Sequence, residues 1–315
     1  MAEPKLSVIL ATDTYATIRP VTDRLRKQTA RREIEVVLIA PTAADVEPIL
    51  AHQAEFACVR IVVSPVGDLA VARAAGIRAA SAPAVFVGET HSYPHPEFAE
   101  KLLRALDSGY AAVAPGFGNG NPNGVLSWAG FLSDYGRWVH TLPAGEIPEV
   151  PLYNAVYRRE ILLELGERLV PALSHGDELP RHMRARGLRC YFEPAARLDH
   201  VNIARGGDWI RERFVSGLLI ASYRVRRWGL ARRLLYVGGS VLIPFVLMAR
   251  VVPGIRKTAG AMELPSGTLA AIVFGMFVKG SGELAGYAGG PTEKGERDMW
   301  KYEMHKLAYA GPGPS

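Results

Sequence analysis

The chain has 315 residues, with 37 Lys and Arg against 31 Asp and Glu, a formal net charge of +6 and a pI near 9.3. That is enough chain to bury a real core and long for one compact domain, and the basic excess points to an anionic partner: nucleic acid, a phosphate-bearing substrate or acidic lipid. The two cysteines, Cys58 and Cys190, lie in separate apolar runs, which excludes a disulfide framework and a zinc spacing and suits small core residues in a reducing compartment. The opening MAEPKLSVILA lacks the charged-then-apolar order of a signal peptide, so the catalytic part is expected in the cytosol.

Along the first hundred residues, short β-branched runs alternate with helical stretches. Strands are predicted at 6–11, 35–40, 58–64 and 84–88, with helices at 18–29, 43–55 and 68–80 between them. This alternation means βαβ units and a parallel sheet. A helix at 96–106 leads to a fifth strand at 110–114, and the Gly- and Asn-rich 115–124 reads as loop. Beyond it the spacing predicts helices at 127–139, 159–165 and 177–186, the last closed by Gly187, and short strands at 152–157, 188–193 and 196–200. No internal repeat is visible.

After about Arg205 the composition changes. Residues 205–257 hold eleven Lys or Arg against Asp208 and Glu212, and enclose the apolar run LLYVGGSVLIPFVLMA (234–249); a second run, LAAIVFGMFV, covers 269–278. Sixteen residues fall short of the ~20 that an unstrained span needs, so an interfacial or re-entrant helical pair is expected on anionic lipid, with a buried hairpin as the alternative. The basic residues are interleaved with aliphatic runs and form no nucleic-acid module, so no nucleic-acid partner is expected. The expected division is a catalytic domain at 1–205, a membrane-associating helical region at 206–290 and a tail at 291–315.

Polar residues at strand ends carry the chemistry of an α/β sheet. The first strand ends in Thr12-Asp13, the third leads to Asp68, and the fourth ends in Glu89-Thr90-His91. If the strand stays extended there, Glu89 and His91 face one point in space. LSVILATDTYATIRPVTDRLRKQT and GDLAVARAAGIRAASAPAVFVGE, with the order of elements over roughly 5–205, resemble a family 2 glycosyltransferase with the GT-A nucleotide-diphospho-sugar fold.

The resemblance implies an α/β, mostly parallel sheet with helices on both faces, and a divalent metal, Mn²⁺ or Mg²⁺, held against the donor diphosphate by an acidic motif after the fourth strand. Here that slot is Glu89-Thr90-His91, with one carboxylate where the family has two, and imidazole suits Mn²⁺ better than Mg²⁺. His200, in RLDHVN, falls where the family often has a histidine reaching the same metal or diphosphate. Asp177-Glu178 in SHGDELPRHMRARG is the acidic pair placed to supply the catalytic base, Asp177 first and Glu178 second, although strict spacing from Gly187 points nearer His175-Gly176. Asp177 also reads as an N-cap.

Thr12 and Asp13 match the position that meets base or ribose, and Arg73 in AVARAAGI matches an arginine that reaches the nucleotide. Asp68 is a donor contact or only a helix cap, and Asn154 in PLYNAVYRREIL occupies an acceptor-facing strand end. GFGNGNPNG lacks dinucleotide-loop spacing and reads as an acceptor-side loop. Trp128, Tyr135 and Trp138 stack on sugar or, at helical spacing, belong to the core. The activity implied is a metal-dependent, inverting transfer of sugar from a nucleotide-diphospho-sugar to a lipid-linked or cell-surface polysaccharide acceptor, by a peripheral or monotopic protein at the cytoplasmic face of the cell membrane. The rival is a catalytically degraded pseudo-enzyme serving as a membrane-bound assembly partner.

Overall fold

Strands β1 (Leu6–Ala11) and β2 (Ile34–Ala40) are apolar at almost every position and buried along their whole length, as strands covered on both faces must be. The computed structural model describes residues 3–175, 177–226, 228–259 and 262–311; the alternative base position at Gly176 and the end of the expected tail lie outside them. Two compact units divide the chain, the first made of residues 1–118 and 138–200, the second of 119–137 and 201–315.

In the first unit β3 (Cys58–Val63) and β4 (Ala84–Val87) join β1 and β2 in a parallel run of order β3-β2-β1-β4. Helices α1 (Tyr15–Leu25) and α2 (Leu69–Ala79) make the crossovers, and the stretch expected as a helix at 43–55 is 3₁₀ over Glu47–Glu55, with Pro48 at its start. Glu35 is buried within β2 and accepts hydrogen bonds from Ser7, Arg60 and the Ser81 amide. Burial pushes its carboxyl up, but those donors outweigh burial and hold it below the usual range, so a charged group ties three strands together.

The sheet continues past β4 through β8 (Val156–Arg158), β6 (Ala112–Asn119) and β9 (Cys190–His200) to β5 (Ser92–Pro94), with β7 (Gly145–Ile147) also on β9. Helix α3 (Phe98–Asp107) packs on β9. Two expectations change here. Residues 115–119 continue β6 instead of forming a loop, because Gly116 and Gly118 admit close neighbours: a Cβ on Gly116 would overlap the Pro194 carbonyl, and one on Gly118 the Asp199 carboxylate. The two strands expected around Glu193-Pro194 are one, β9. Short helices α5 (Arg159–Leu163), α6 (Leu169–His175) and α7 (Glu178–Ala185) fill the rest of the unit.

The second unit is helical: α4 (Val125–Tyr135), α8 (Gly206–Val225), α9 (Leu230–Gly239), α10 (Ile243–Ala259), α11 (Thr268–Gly289) and α12 (Glu293–Met304). Trp128 and Tyr135, both half-buried, flank the buried Phe131 on α4. Helices α8 and α11 meet backbone to backbone at glycines. A Cβ on Gly217 would overlap the Lys279 carbonyl, one on Gly282 the Phe214 carbonyl, and one on Gly286 the Leu218 carbonyl. By length and composition two helical stretches, Leu230–Ala249 and Thr268–Gly289, suffice to cross a membrane. The first is longer than the sixteen-residue run suggested, because Leu230–Arg233 already belong to α9. It is also the most exposed apolar surface described: Leu235 is 72% exposed, and Leu230 and Val241 each 70%.

Candidate active site

After β4 the chain turns at Thr90-His91 and returns as β5, which pairs antiparallel with β9 so that Ser92 stands opposite His200. That register brings two histidines 109 positions apart in sequence together, with ring centroids 4.8 Å apart and planes nearly perpendicular. The Oε2 of Glu89 lies 3.4 Å from His91 Nε2 and 3.6 Å from His200 Nε2. All three side chains are buried. Glu89 and His91 thus meet across a turn, where an extended strand end had been the expected reason for their convergence.

One donor atom from each residue lies within 4.8 Å of the other two. Donors each about 2.1 Å from one cation stand roughly 3.0–3.6 Å apart, which the two carboxylate–imidazole separations of 3.4 and 3.6 Å match; any separation near the 4.8 Å limit has to close for one ion to be shared. A carboxylate and two imidazoles form a borderline donor set that Mn²⁺ or a later divalent metal accepts more readily than Mg²⁺ does.

Glu89 is held by its surroundings. Asn154 Nδ2 donates to Glu89 Oε2, and the Asn154 amide donates to the Val87 carbonyl at 2.7 Å. Asn154 is the only described non-glycine residue with positive φ, at 58°, a conformation asparagine tolerates better than most residues. The bend is fixed from behind by Tyr157, whose hydroxyl donates to the carbonyls of Pro151 and Leu152; burial raises this phenol well above its usual pKa. Arg73, buried on α2, places Nη2 4.0 Å from Glu89 Oε1 and stacks its guanidinium over the Tyr153 ring.

The remaining sequence candidates sit at the N-terminal approaches of three other helices. Thr12 is buried directly after β1, and Asp13 accepts a hydrogen bond from Thr17 in α1, whose cap is Thr14. Asp68 caps α2, accepting from the Ala70 and Val71 amides, and so sets the start of the helix that carries Arg73. Asp177 occupies the N-cap position of α7, as expected, and is exposed, but its side chain makes no capping hydrogen bond; Glu178 is the first residue of the helix. Reading the sequence missed Tyr153, β5, and the contact of Asn154 with Glu89. Tyr-Asn before a strand gives no local signal of such contacts, although the alternation in Ser92–Pro94 after a turn could have suggested a returning strand.

The mixed, mostly parallel α/β sheet with its packed helices is of the GT-A type, and the buried acid-and-histidine cluster lies where β4 ends. The family described as Glycosyl transferase family 2 matches residues 7–166, about half of the chain, and the chain belongs to that family as a glycosyltransferase. A comparison with curated proteins returned no match. Among solved structures, a mannosyltransferase from Pyrobaculum calidifontis, in complex with GDP-Man and Mn²⁺, is similar at a TM-score of 0.52 and 16% identity, over 90% of this chain and 88% of that one. S. aureus TarS, residues 1–349 in complex with UDP, gives 0.48 and 14% over 92% and 93%. At 16% identity the likeness to the mannosyltransferase speaks to the fold alone.

Proposed function

We propose that the protein transfers a glycosyl group, with inversion, from a nucleoside-diphosphate sugar to a lipid-linked or cell-surface polysaccharide acceptor at the cytoplasmic face of a membrane. The observation that carries this reading is the buried convergence of Glu89, His91 and His200. A divalent cation held there would supply charge neutralisation for the departing diphosphate. Mn²⁺ is the preferred ion on donor chemistry, and the mannosyltransferase of similar fold holds Mn²⁺ with GDP-Man.

Around that centre the chain's own residues take distinct parts. Arg73 offers a buried cation to the diphosphate, and Thr12 and Asp13 meet the nucleoside. Asp68 acts through its cap on the arginine-bearing helix. Asn154, first expected on the acceptor side, orients Glu89 in this reading. Asp177, with Glu178 next to it, accepts the proton of the acceptor hydroxyl as that oxygen attacks the anomeric carbon. Its exposed, uncapped carboxylate is open to an incoming acceptor.

The membrane part of the reading rests on the second unit. Leu230, Leu234, Leu235, Val241, Leu242 and Phe245 are exposed within sixteen positions of one another, and Arg232 stacks on Trp228 beside them. Aliphatic side chains enter the acyl boundary while guanidinium groups meet anionic headgroups. One observation favours a second reading, a catalytically silent assembly partner: the metal slot has a single carboxylate.

The test is a thermal-shift screen of nucleotide sugars with Mn²⁺, with Mg²⁺ and with chelator. A donor that stabilises the protein only with Mn²⁺ or Mg²⁺ supports the enzyme. Equal stabilisation with chelator, or none by any donor, refutes the metal-dependent transferase and leaves the silent partner.

A further inference from the structure

Tyr153 has no part in the reading above. Its ring centroid lies 3.7 Å from the Arg73 Cζ, and its hydroxyl donates to the carbonyl of Leu173 on α6. Arg73 is buried, and its only ion pair among the described residues is the 4.0 Å approach to Glu89. Its Nε has no hydrogen-bond acceptor among the described residues. Buried N–H groups in folded proteins are nearly always satisfied, so this one is set for an oxygen that the described residues do not supply. A ring face attracts the guanidinium without occupying its N–H edges; it fixes the plane and leaves the donors for a ligand.

The two ends of Tyr153 therefore serve different neighbours. The ring orients Arg73 beside Glu89. The hydroxyl secures α6, whose last residue, His175, stands two positions before Asp177. We propose that Tyr153 is a positioning residue that holds Arg73 for a donor phosphate oxygen and links it to the segment carrying the catalytic base. This rests on the donor-binding reading given above. The two attachments predict separable defects: loss of the ring weakens diphosphate binding, whereas loss of the hydroxyl alone slows turnover.

The experiment uses the full chain with Tyr153→Leu, Tyr153→Phe, Arg73→Lys and the Tyr153→Leu/Arg73→Lys double variant. GDP and UDP, each with Mn²⁺, are titrated calorimetrically, and kcat and KM are measured with the nucleotide sugar chosen by the thermal screen. Tyr153→Leu is expected to weaken nucleoside-diphosphate binding about tenfold, the scale of a desolvated cation–π contact. Arg73→Lys should weaken it at least as much, and Tyr153→Leu should add little on that background because the flat partner is gone. Tyr153→Phe should bind within about twofold of the parent at unchanged calorimetric stoichiometry and show a lower kcat at unchanged KM; the stoichiometry counts folded molecules, so a loss of folding would lower it together with kcat.

Parent-like affinity in Tyr153→Leu, or a loss that adds in full to that of Arg73→Lys, overturns the proposal. If Tyr153→Leu does not fold, Tyr153→Phe decides: a parent-like kcat overturns it. A parent protein that binds neither GDP nor UDP with Mn²⁺ is a separate result, and it removes the donor reading beneath the proposal.

Discussion

Replacing Asn154 separates two costs that the structure superimposes at one residue. Its side chain donates to a buried carboxylate, and its backbone sits at φ 58°. Asn154→Gly removes the hydrogen bond and relaxes the backbone; losing a donor to a buried charged acceptor costs about 1.5–3 kcal/mol. Asn154→Ala removes the same bond but keeps a Cβ in the left-handed conformation without the local hydrogen bonding that lets asparagine tolerate it, so it should cost about 1 kcal/mol more than glycine does. Alanine should therefore be the worse substitution, the reverse of the usual order in regular structure. Urea unfolding in chelator measures both, and Mn²⁺ titration should show affinity reduced about 10–100-fold in each, the range for loss of a residue that orients a ligand. Asn154→Asp should be less stable than the parent in chelator and gain more from Mn²⁺, because two adjacent carboxylates repel until a cation joins them. Equal stability of the alanine and glycine variants would refute the backbone argument. Parent-like Mn²⁺ affinity in both would refute the role of Asn154 in orienting Glu89 toward a cation.

Asp177→Asn should leave the melting temperature nearly unchanged, since the aspartate makes no capping bond, and lower turnover roughly 10²-fold or more while nucleotide binding persists. Normal turnover there with loss in Glu178→Gln would exchange their roles, and activity in both would move the base elsewhere. In the helical unit, burial pushes the Asp134 carboxyl up, but the charge and hydrogen bonds of Arg213 outweigh burial and hold it at about 2, against an ordinary 3.8. A lowered folded pKa means stability present above about pH 4 and lost as the pH falls toward 2, so Asp134→Asn should flatten that acid limb in pH-dependent unfolding. The effect is modest because the side chain is 38% exposed and water screens the pair; an unchanged limb would count against the assignment. Leu235→Glu with Val241→Glu should abolish flotation with phosphatidylglycerol vesicles, whereas high salt should only weaken the parent. A parent that never floats would make these helices a protein-binding or core surface.

The parallel half of the fold was legible because its strands are short, β-branched and regularly separated. The buried sequences Leu6–Ala11 and Ile34–Ala40 admit few other readings. Legibility failed where non-local contact decides structure. Gly116 and Gly118 look like loop residues in sequence, yet they are in β6 because Pro194 and Asp199 approach too closely for a side chain. Glu193-Pro194 looks like a strand break, and β9 passes through it. At the site, Glu89, His91 and His200 are single polar letters at strand ends, which resemblance could single out. The turn that joins them depends on the β5–β9 register, and nothing near residue 90 encodes it. The contacts of Tyr153 were further from view, since their partners are 80 positions before it and 20 after.

The glycine contacts of α8 and α11 bear on how the second unit could change its surroundings. A helix pair held by leucine side chains draws its cohesion from excluding water, and that force vanishes once hydrocarbon replaces the water outside. Gly217, Gly282 and Gly286 instead set main chain against main chain, so close that a methyl group would not fit. Dispersion at such short range is indifferent to the medium. The crossing of these two helices should therefore persist in detergent, in a bilayer or in buffer, leaving the neighbouring exposed segment Leu230–Ala249 to register the difference between them.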